Sequence, residues 1–162
     1  MRTRSQKRAL EAYTRVRNRA SQWHPDKHRP EREAYGRLAH RLPALIRTSG
    51  LASALVFIET RLKEGHKTED RKAKGRKAFV EDFKEALAAL AKEVGVSKNQ
   101  SMPITSAIVA ELNPTTTDIT QLVLELNLTS YQLLTLEALA LAMWFKRFAE
   151  SVLDVLPTEG HL

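Results

Sequence analysis

The last long segment of the chain, residues 130–155, reads SYQLLTLEALALAMWFKRFAESVLDV and is apolar on almost every side of a helix. One face carries large side chains at three-, four- and seven-residue steps: Tyr131, Leu134, Leu141, Phe145, Phe148 and Val152. A second face carries Leu133, Leu136 and Met143. Because a helix that is apolar all round must be covered, the segment predicts a helix that is central to the fold or buried by a partner.

The composition of the whole chain also favours helices. Leu (22 residues) and Ala (20 residues) far outnumber Val (9) and Ile (5) among the 162 residues. Small and straight-chain side chains favour helices, whereas β-branched side chains favour strands. We expect an all-α fold, a single-domain bundle of about six helices that spans residues 1–162.

The sequence excludes several kinds of reactive site. The chain has no cysteine, which excludes a disulfide framework, a thiolate zinc site and a cysteine nucleophile. Its six glycines never cluster into a phosphate-binding loop, and no serine stands in a nucleophile elbow. The first twenty residues are rich in Arg and lack an apolar signal-peptide core. We expect a soluble cytoplasmic protein with no catalytic residues, no metal, no cofactor and no membrane contact.

The charge is divided unevenly along the chain. Residues 1–84 carry 22 Lys and Arg against 10 Asp and Glu, whereas residues 85–162 carry 4 against 9. A basic half joined to an acidic and apolar half predicts one side that faces a polyanion and one side that packs.

Local signals predict where the helices begin and end. Thr3 and Gln6 have the spacing of a capping box, which predicts a first helix that begins at Arg4. Pro43 is expected to interrupt the next helix, and Gly50 to end the short helix that follows. The later helices are expected at 31–41, 43–46, 51–62, 79–95, 104–112, 119–126 and 130–155.

Two further capping signals and two irregular segments complete this pattern. Asp118 with Gln121 and Thr129 with Gln132 predict the starts of the last two helices. Residues 64–77, EGHKTEDRKAKGRK, contain no large apolar side chain, so we expect a solvated charged loop or a frayed helix start. Residues 156–162 are expected to form a flexible tail.

The polar segment after the first helix reads Trp23-His24-Pro25-Asp26-Lys27-His28. His24 and His28 are four residues apart, but Pro25 breaks the helix that a shared metal ion would require, so a polar loop is expected.

The tripeptide His24-Pro25-Asp26 also resembles the signature of J-domain co-chaperones, which stimulate a heat-shock ATPase. Those domains carry a further helix ahead of the basic one, and the chain begins at Met1 without room for it. A J-domain-like co-chaperone module is the alternative function.

A row of arginines marks the first helix. Arg4, Arg8, Arg15 and Arg19 share an arc of about 60° on a helix, beside the apolar stripe, so we expect them to stay exposed when the helix docks. A guanidinium group binds phosphate oxygens bidentately and stays charged. Aromatic residues do not alternate with these arginines in the sequence, so we expect contact with a nucleic-acid backbone rather than with bases.

Several motifs resemble one known family. Thr3-Arg4-Ser5-Gln6 opens the basic helix, and the run from Leu42 to Leu51, LPALIRTSGL, is followed by Ala54-Leu55-Val56-Phe57. The last helix contributes Tyr131, Thr135, Glu137-Ala138-Leu139 and Trp144-Phe145-Lys146-Arg147-Phe148-Ala149. Together these motifs resemble the small helical subunit of the Cmr, or type III-B, CRISPR effector complex.

The resemblance implies a non-catalytic RNA-binding protein that acts in antiviral defence. Copies of such a subunit stack into a minor filament beside the backbone subunits that hold the guide RNA. The implied partners are the guide–target duplex or the target RNA strand, the backbone and large subunits of the Cmr complex, and other copies of the chain. The basic residues expected to face RNA are Arg2, Arg4, Arg8, Arg15, Arg19, Arg41, Arg47, Lys146 and Arg147.

Overall fold

The computed structural model describes residues 1–63, 71–94 and 118–157. These residues form five helices and no strand, which confirms the predicted all-α class: α1 (Arg4–Gln22), α2 (Arg29–Lys63), α3 (Arg71–Val94), α4 (Ile119–Glu125) and α5 (Leu128–Ser151). The predicted helix at 104–112 lies outside the described residues.

Helix α2 is a helical hairpin rather than a single rod. Gly50 has φ of 80° and ψ of 166°, and a positive φ is strained for residues other than glycine. The guanidinium carbon of Arg41 lies 5.1 Å from the ring centre of Phe57, on the other side of Gly50. A straight helix would separate these two residues by about 24 Å. The chain therefore folds back at Gly50, and the predicted stop there is confirmed.

The hairpin explains the apolar character of α2. By length and composition alone, residues 29–62 would suffice to cross a membrane. However, the break at Gly50 divides them into a first arm (residues 29–49) and a second arm (residues 51–63). Leu42 of the first arm and Leu55 of the second arm are fully buried. Apolar side chains from both arms are therefore used in the core, whereas Val56 remains 48% exposed.

Aromatic rings from three helices meet at the centre of this core. Tyr35 of α2 packs edge-on against Phe79 of α3, with ring centres 5.2 Å apart. Phe145 of α5 packs edge-on against Phe79 and Phe83, each at 5.8 Å. All four rings are fully buried. Because edge-to-face contacts are favourable for aromatic rings, they hold α5 in the middle of the fold.

Helix α5 nevertheless has two apolar faces. Leu134 and Leu141 are fully buried, whereas Leu133 is 42% exposed and Leu136 is 65% exposed. The prediction of a central helix is confirmed for the first face. The second face lies on the surface of the described chain.

The helix starts show two confirmed predictions and one wrong prediction. Asp118 caps α4 as predicted, since its carboxylate accepts a hydrogen bond from the Thr120 backbone N–H at 3.1 Å. The Thr3 hydroxyl accepts a hydrogen bond from the Gln6 backbone at 3.2 Å, and the Gln6 side chain accepts one from the Thr3 backbone at 2.8 Å. The capping box is thus present. The predicted cap at Thr129 is wrong, because the Asn127 side chain accepts from the Ser130 backbone N–H at 2.8 Å and α5 begins at Leu128. Asn is among the strongest capping residues, and it comes two residues earlier.

Two predicted interruptions also differ from the structure. Pro43 does not end a helix, because α2 continues through it with Leu42 and Ile46 buried on either side. The burial of these neighbours stabilises the helix by more than the missing backbone hydrogen bond of proline costs. The expected charged loop over 64–77 is too long, because α3 begins at Arg71.

The charged start of α3 is ordered by the first turn of α2. Arg71 Nε donates to the buried Glu31 carboxylate at 3.1 Å. Gly75 is buried where an added Cβ would overlap the backbone carbonyl of Glu31, so only glycine allows these helices to approach so closely. Residues 64–70 and the end of the expected tail, 158–162, lie outside the described residues.

An ionic cluster anchors the start of α4 to its neighbours. Lys84 Nζ lies 2.5 Å from Glu59 Oε1 and 2.7 Å from Asp118 Oδ1. The Thr120 hydroxyl donates to Glu59 at 2.6 Å. Burial raises the pKa of Asp118, but hydrogen bonds from Lys84 and the Thr120 backbone outweigh it, so the pKa lies below the ordinary 3.8. These contacts connect α2, α3 and α4.

Candidate nucleic-acid interface

The arginine row of α1 mostly faces the inside of the molecule. Arg8 donates two hydrogen bonds to the Glu137 carboxylate of α5, at 2.6 and 2.5 Å. These hydrogen bonds raise the pKa of Arg8 despite partial burial. The Glu137 side chain is only 6% exposed. The pair is therefore a bidentate contact that joins α1 to α5.

A second arginine of the row joins α1 to α3. Arg19 donates to both carboxylate oxygens of Asp82, at 3.1 and 2.9 Å. Tyr35 of α2 donates its hydroxyl proton to the same carboxylate at 2.9 Å. Burial, together with the nearby negative charge of Asp82, raises the pKa of Tyr35 well above its usual value. One buried carboxylate thus connects three helices.

The expectation that this row stays exposed is wrong for three of its four members. The side chains of Arg8, Arg15 and Arg19 are 19–22% exposed, whereas that of Arg4 is 71% exposed. Arg15 lies 2.5 Å from Glu11 and 3.9 Å from Glu85. The row points into the groove between α3 and α5, where it meets carboxylates from distant sequence positions. The sequence signal that could have revealed these partners is an acidic residue on the apolar face of each helix, Asp82 on α3 and Glu137 on α5.

The other predicted RNA-facing residues are more accessible. Arg2, Arg41, Arg47 and Arg147 are exposed, and Lys146 is half-buried. Arg47 Nη2 lies 4.0 Å from Met143 Sδ, and Met143 is one helical turn before Arg147 on α5. The structure therefore brings Arg47 and Arg147 to neighbouring positions on one surface. Arg41 lies over Phe57 on the α2 hairpin.

The structure also brings together a row of aromatic side chains from α1 and α5, which are far apart in the sequence. Tyr13 of α1 packs edge-on against Phe148 of α5 at 5.3 Å, and Phe148 stacks on Trp144 at 5.5 Å. The Arg17 guanidinium lies 5.8 Å from the centre of Tyr13, and that of Arg147 lies 4.9 Å from Trp144. We call these five side chains the aromatic ladder. Sequence reasoning missed it because its two halves lie at opposite ends of the chain.

The segment with the His24-Pro25-Asp26 tripeptide forms a short turn between α1 and α2. His24 Nδ1 accepts a hydrogen bond from the Asp26 backbone at 3.3 Å, and His28 Nδ1 accepts one from the His24 backbone at 3.1 Å. Nearby, the buried Arg32 donates to the carbonyl oxygens of Ala20, Trp23 and Leu153. These contacts satisfy the last carbonyls of α1 and account for the polar turn.

Within the described ranges, these features define a small all-α protein with internally paired charges on one side and unpaired cations on another. Comparisons with known proteins identify the family. The profile described as "CRISPR-associated protein (Cas_Cmr5)" matches residues 4–152. The CRISPR system Cmr subunit Cmr5 of Thermus thermophilus is 31% identical over 154 residues, which cover 95% of this chain and 99% of that protein.

A solved structure agrees with the sequence match. The crystal structure of a CRISPR-associated Cmr5 family protein, also from Thermus thermophilus, superposes with a TM-score of 0.57 and 29% identity. The superposition covers 94% of this chain and 98% of that one. The chain belongs to the Cas_Cmr5 family, the small subunit of the Cmr, or type III-B, CRISPR complex. The resemblance expected from the sequence motifs is confirmed.

Proposed function

We propose that the chain is a non-catalytic structural subunit of a cytoplasmic type III-B ribonucleoprotein that acts in antiviral defence. Copies of it stack in a minor filament beside the backbone and large subunits, and its exposed cations contact target RNA or the guide–target duplex. The match to the Cas_Cmr5 family over residues 4–152 carries this proposal. The His24-Pro25-Asp26 turn lies inside the matched range.

The distribution of paired and unpaired cations supports an RNA-facing surface. Arg8, Arg15 and Arg19 neutralise carboxylates within the protein. In contrast, the described residues provide no carboxylate partner for Arg41 or Arg47. Guanidinium groups of this kind on a folded surface are available for phosphate oxygens. Such contacts position an RNA without reading its sequence.

Exposed leucines support contacts with other protein subunits. Leu124 and Leu136 are each 65% exposed, and Leu128 is 72% exposed. All three belong to α4 and α5. Apolar side chains grouped on a surface mark sites of protein association. We assign these leucines to contacts with copies of the chain or with the larger subunits.

The proposal is tested by the salt dependence of RNA binding in the assembled complex. Replacing both Arg41 and Arg47 with Ala removes two phosphate contacts. The slope of log affinity against log salt should then become shallower by about 1.4 for a single strand. The affinity should fall by similar factors for unrelated RNA sequences, because backbone contacts carry no base information.

A matched control removes the same number of charges elsewhere. Arg29 and Arg37 both pair with Glu33, at 2.8 and 3.9 Å, and replacing them with Ala should leave the slope unchanged. An unchanged slope for the Arg41 and Arg47 variant would show that RNA does not contact this surface.

A further inference from the structure

The aromatic ladder crosses from α1 to α5 on the outside of the fold. It runs in the order Arg17, Tyr13, Phe148, Trp144 and Arg147, with successive groups 4.9–5.8 Å apart. Tyr13 is 37% exposed, Trp144 and Phe148 are half-buried, and both arginines are exposed. In contrast, Trp23 and the rings of the central core are buried. The ladder therefore exposes aromatic ring surface to the solvent, in contrast to the rings of the buried core.

The two ends of the ladder carry unpaired positive charge. Within the described residues, no carboxylate forms an ion pair with Arg17 or Arg147. A guanidinium plane stacked on a ring keeps its N–H donors at the edge, where an anion can reach them. The site thus combines flat apolar faces with cations at both ends. Arg47, beside Met143, adds a third cation near the Arg147 end.

A single strand of RNA has the complementary chemistry. Its unpaired bases are flat and stack on aromatic rings or guanidinium planes, and each phosphate between them carries one negative charge. A duplex keeps its bases stacked on one another and offers only its backbone. An acidic peptide would match the cations but would leave the three rings without flat partners.

We propose that the aromatic ladder is a stacking site for unpaired bases of single-stranded RNA. The inference rests on the proposed function and adds a second kind of RNA contact to it. The Arg147 guanidinium covers one side of Trp144, and Phe148 stacks on the ring as well. When Arg147 turns towards a phosphate, it uncovers Trp144 for a base. Arg17 and Tyr13 hold the neighbouring nucleotide in the same way.

The test uses the complex reconstituted with variants of this subunit. Trp144→Leu keeps an apolar side chain and removes the ring, and Arg147→Lys keeps the charge and removes the stacking plane. The probes are an unstructured single-stranded RNA and the same RNA annealed to its complement. We expect Trp144→Leu to lower the affinity for the single strand about ten-fold and to leave the duplex affinity unchanged. Arg147→Lys should lower the affinity for the single strand several-fold and leave the salt slope unchanged.

Arg29→Lys is the matched control, since it makes the same exchange at an exposed arginine outside the ladder. Equal single-strand affinities for the parent, Trp144→Leu and Arg147→Lys complexes would overturn the inference. If the Arg41 and Arg47 variant still changes its salt slope in that case, the proposed function stands without base stacking. Failure of Arg147→Lys to enter the complex would show that the ladder is a protein interface, and this result would also overturn the inference. Circular dichroism of each free subunit shows whether it is folded.

Discussion

The hydroxyl of Tyr131 on α5 accepts a hydrogen bond from the backbone N–H of Ala52 at 3.3 Å. Ala52 lies just after the reversal at Gly50, where the second arm of α2 begins and its first N–H groups have no partner within the helix. The hydroxyl also lies 3.1 Å from the position that a Cβ would occupy on Gly50. A residue from the last helix thus caps the turn of the hairpin.

Replacing Tyr131 with Phe removes this cap and little else. We expect the free energy of unfolding to fall by about 1 kcal/mol, the usual net value of one hydrogen bond. Chemical denaturation in urea measures the change. Tyr13→Phe is the control, because among the described residues its hydroxyl accepts a hydrogen bond only from the exposed Arg17, at 3.3 Å. Equal losses in the two variants would contradict a capping role.

Breaking the Arg8–Glu137 pair should strongly destabilise the fold. Glu137→Leu leaves the Arg8 guanidinium half-enclosed without its carboxylate, and a loss of about 3 kcal/mol is expected. Arg8→Met leaves the buried carboxylate with only the exposed Arg4 as a partner, at 3.8 Å, and a loss of similar size is expected. The double variant should be more stable than either single variant, because neither charge then remains alone. Urea denaturation of the four proteins gives the coupling energy, and additive losses would show that the pair is not coupled.

The cluster around Asp118 predicts a dependence of stability on acid pH. The pKa of Asp118 is lower in the folded chain than its ordinary value of 3.8. The carboxylate therefore stabilises the fold fully above pH 3.8, and this contribution is lost as the pH falls through the folded-state pKa. Asp118→Asn should be less stable than the parent near neutral pH. The difference should shrink once the pH falls below the ordinary pKa, and a difference that grows on acidification would contradict this assignment.

We expect the His24 side chain to have no role in complex assembly or RNA binding. His24→Gln should leave complex assembly and RNA binding intact, because the side chain is 59% exposed and contacts only its own turn. A J-domain requires that histidine to stimulate its ATPase partner. Loss of complex activity in a folded His24→Gln protein would favour the co-chaperone alternative.

Local features of the fold could be predicted from the sequence, because they depend on a few neighbouring residues. The Thr3–Gln6 capping box and the break at Gly50 are examples. Pro43 could not be placed correctly, since its tolerance inside α2 depends on buried neighbours that only the tertiary structure reveals. The charged start of α3 likewise depends on its contact with Glu31.

In the candidate site, too, local features could be predicted from the sequence, whereas tertiary contacts could not. The sequence shows which residues are basic but not which of them pair with a carboxylate. Arg8 and Arg19 have helical spacing suited to phosphates, yet their partners are 129 and 63 residues away. Tyr13 and Trp144 show no aromatic alternation in the sequence because the ladder exists only when α1 docks on α5.

The pairing of Arg8 with Glu137 also makes the docking of α1 on α5 a long-range contact in sequence. The two arms of α2 lie within one stretch of 35 residues, so closing the hairpin needs only a short loop and carries a small entropic cost. The Glu137 partner of Arg8, in contrast, lies 129 residues further along the chain. Most of the stability of a helix such as α1 comes from the tertiary packing of its apolar face. Closing the contact between α1 and α5 therefore costs more loop entropy than closing the hairpin, and we expect this contact to form later in folding.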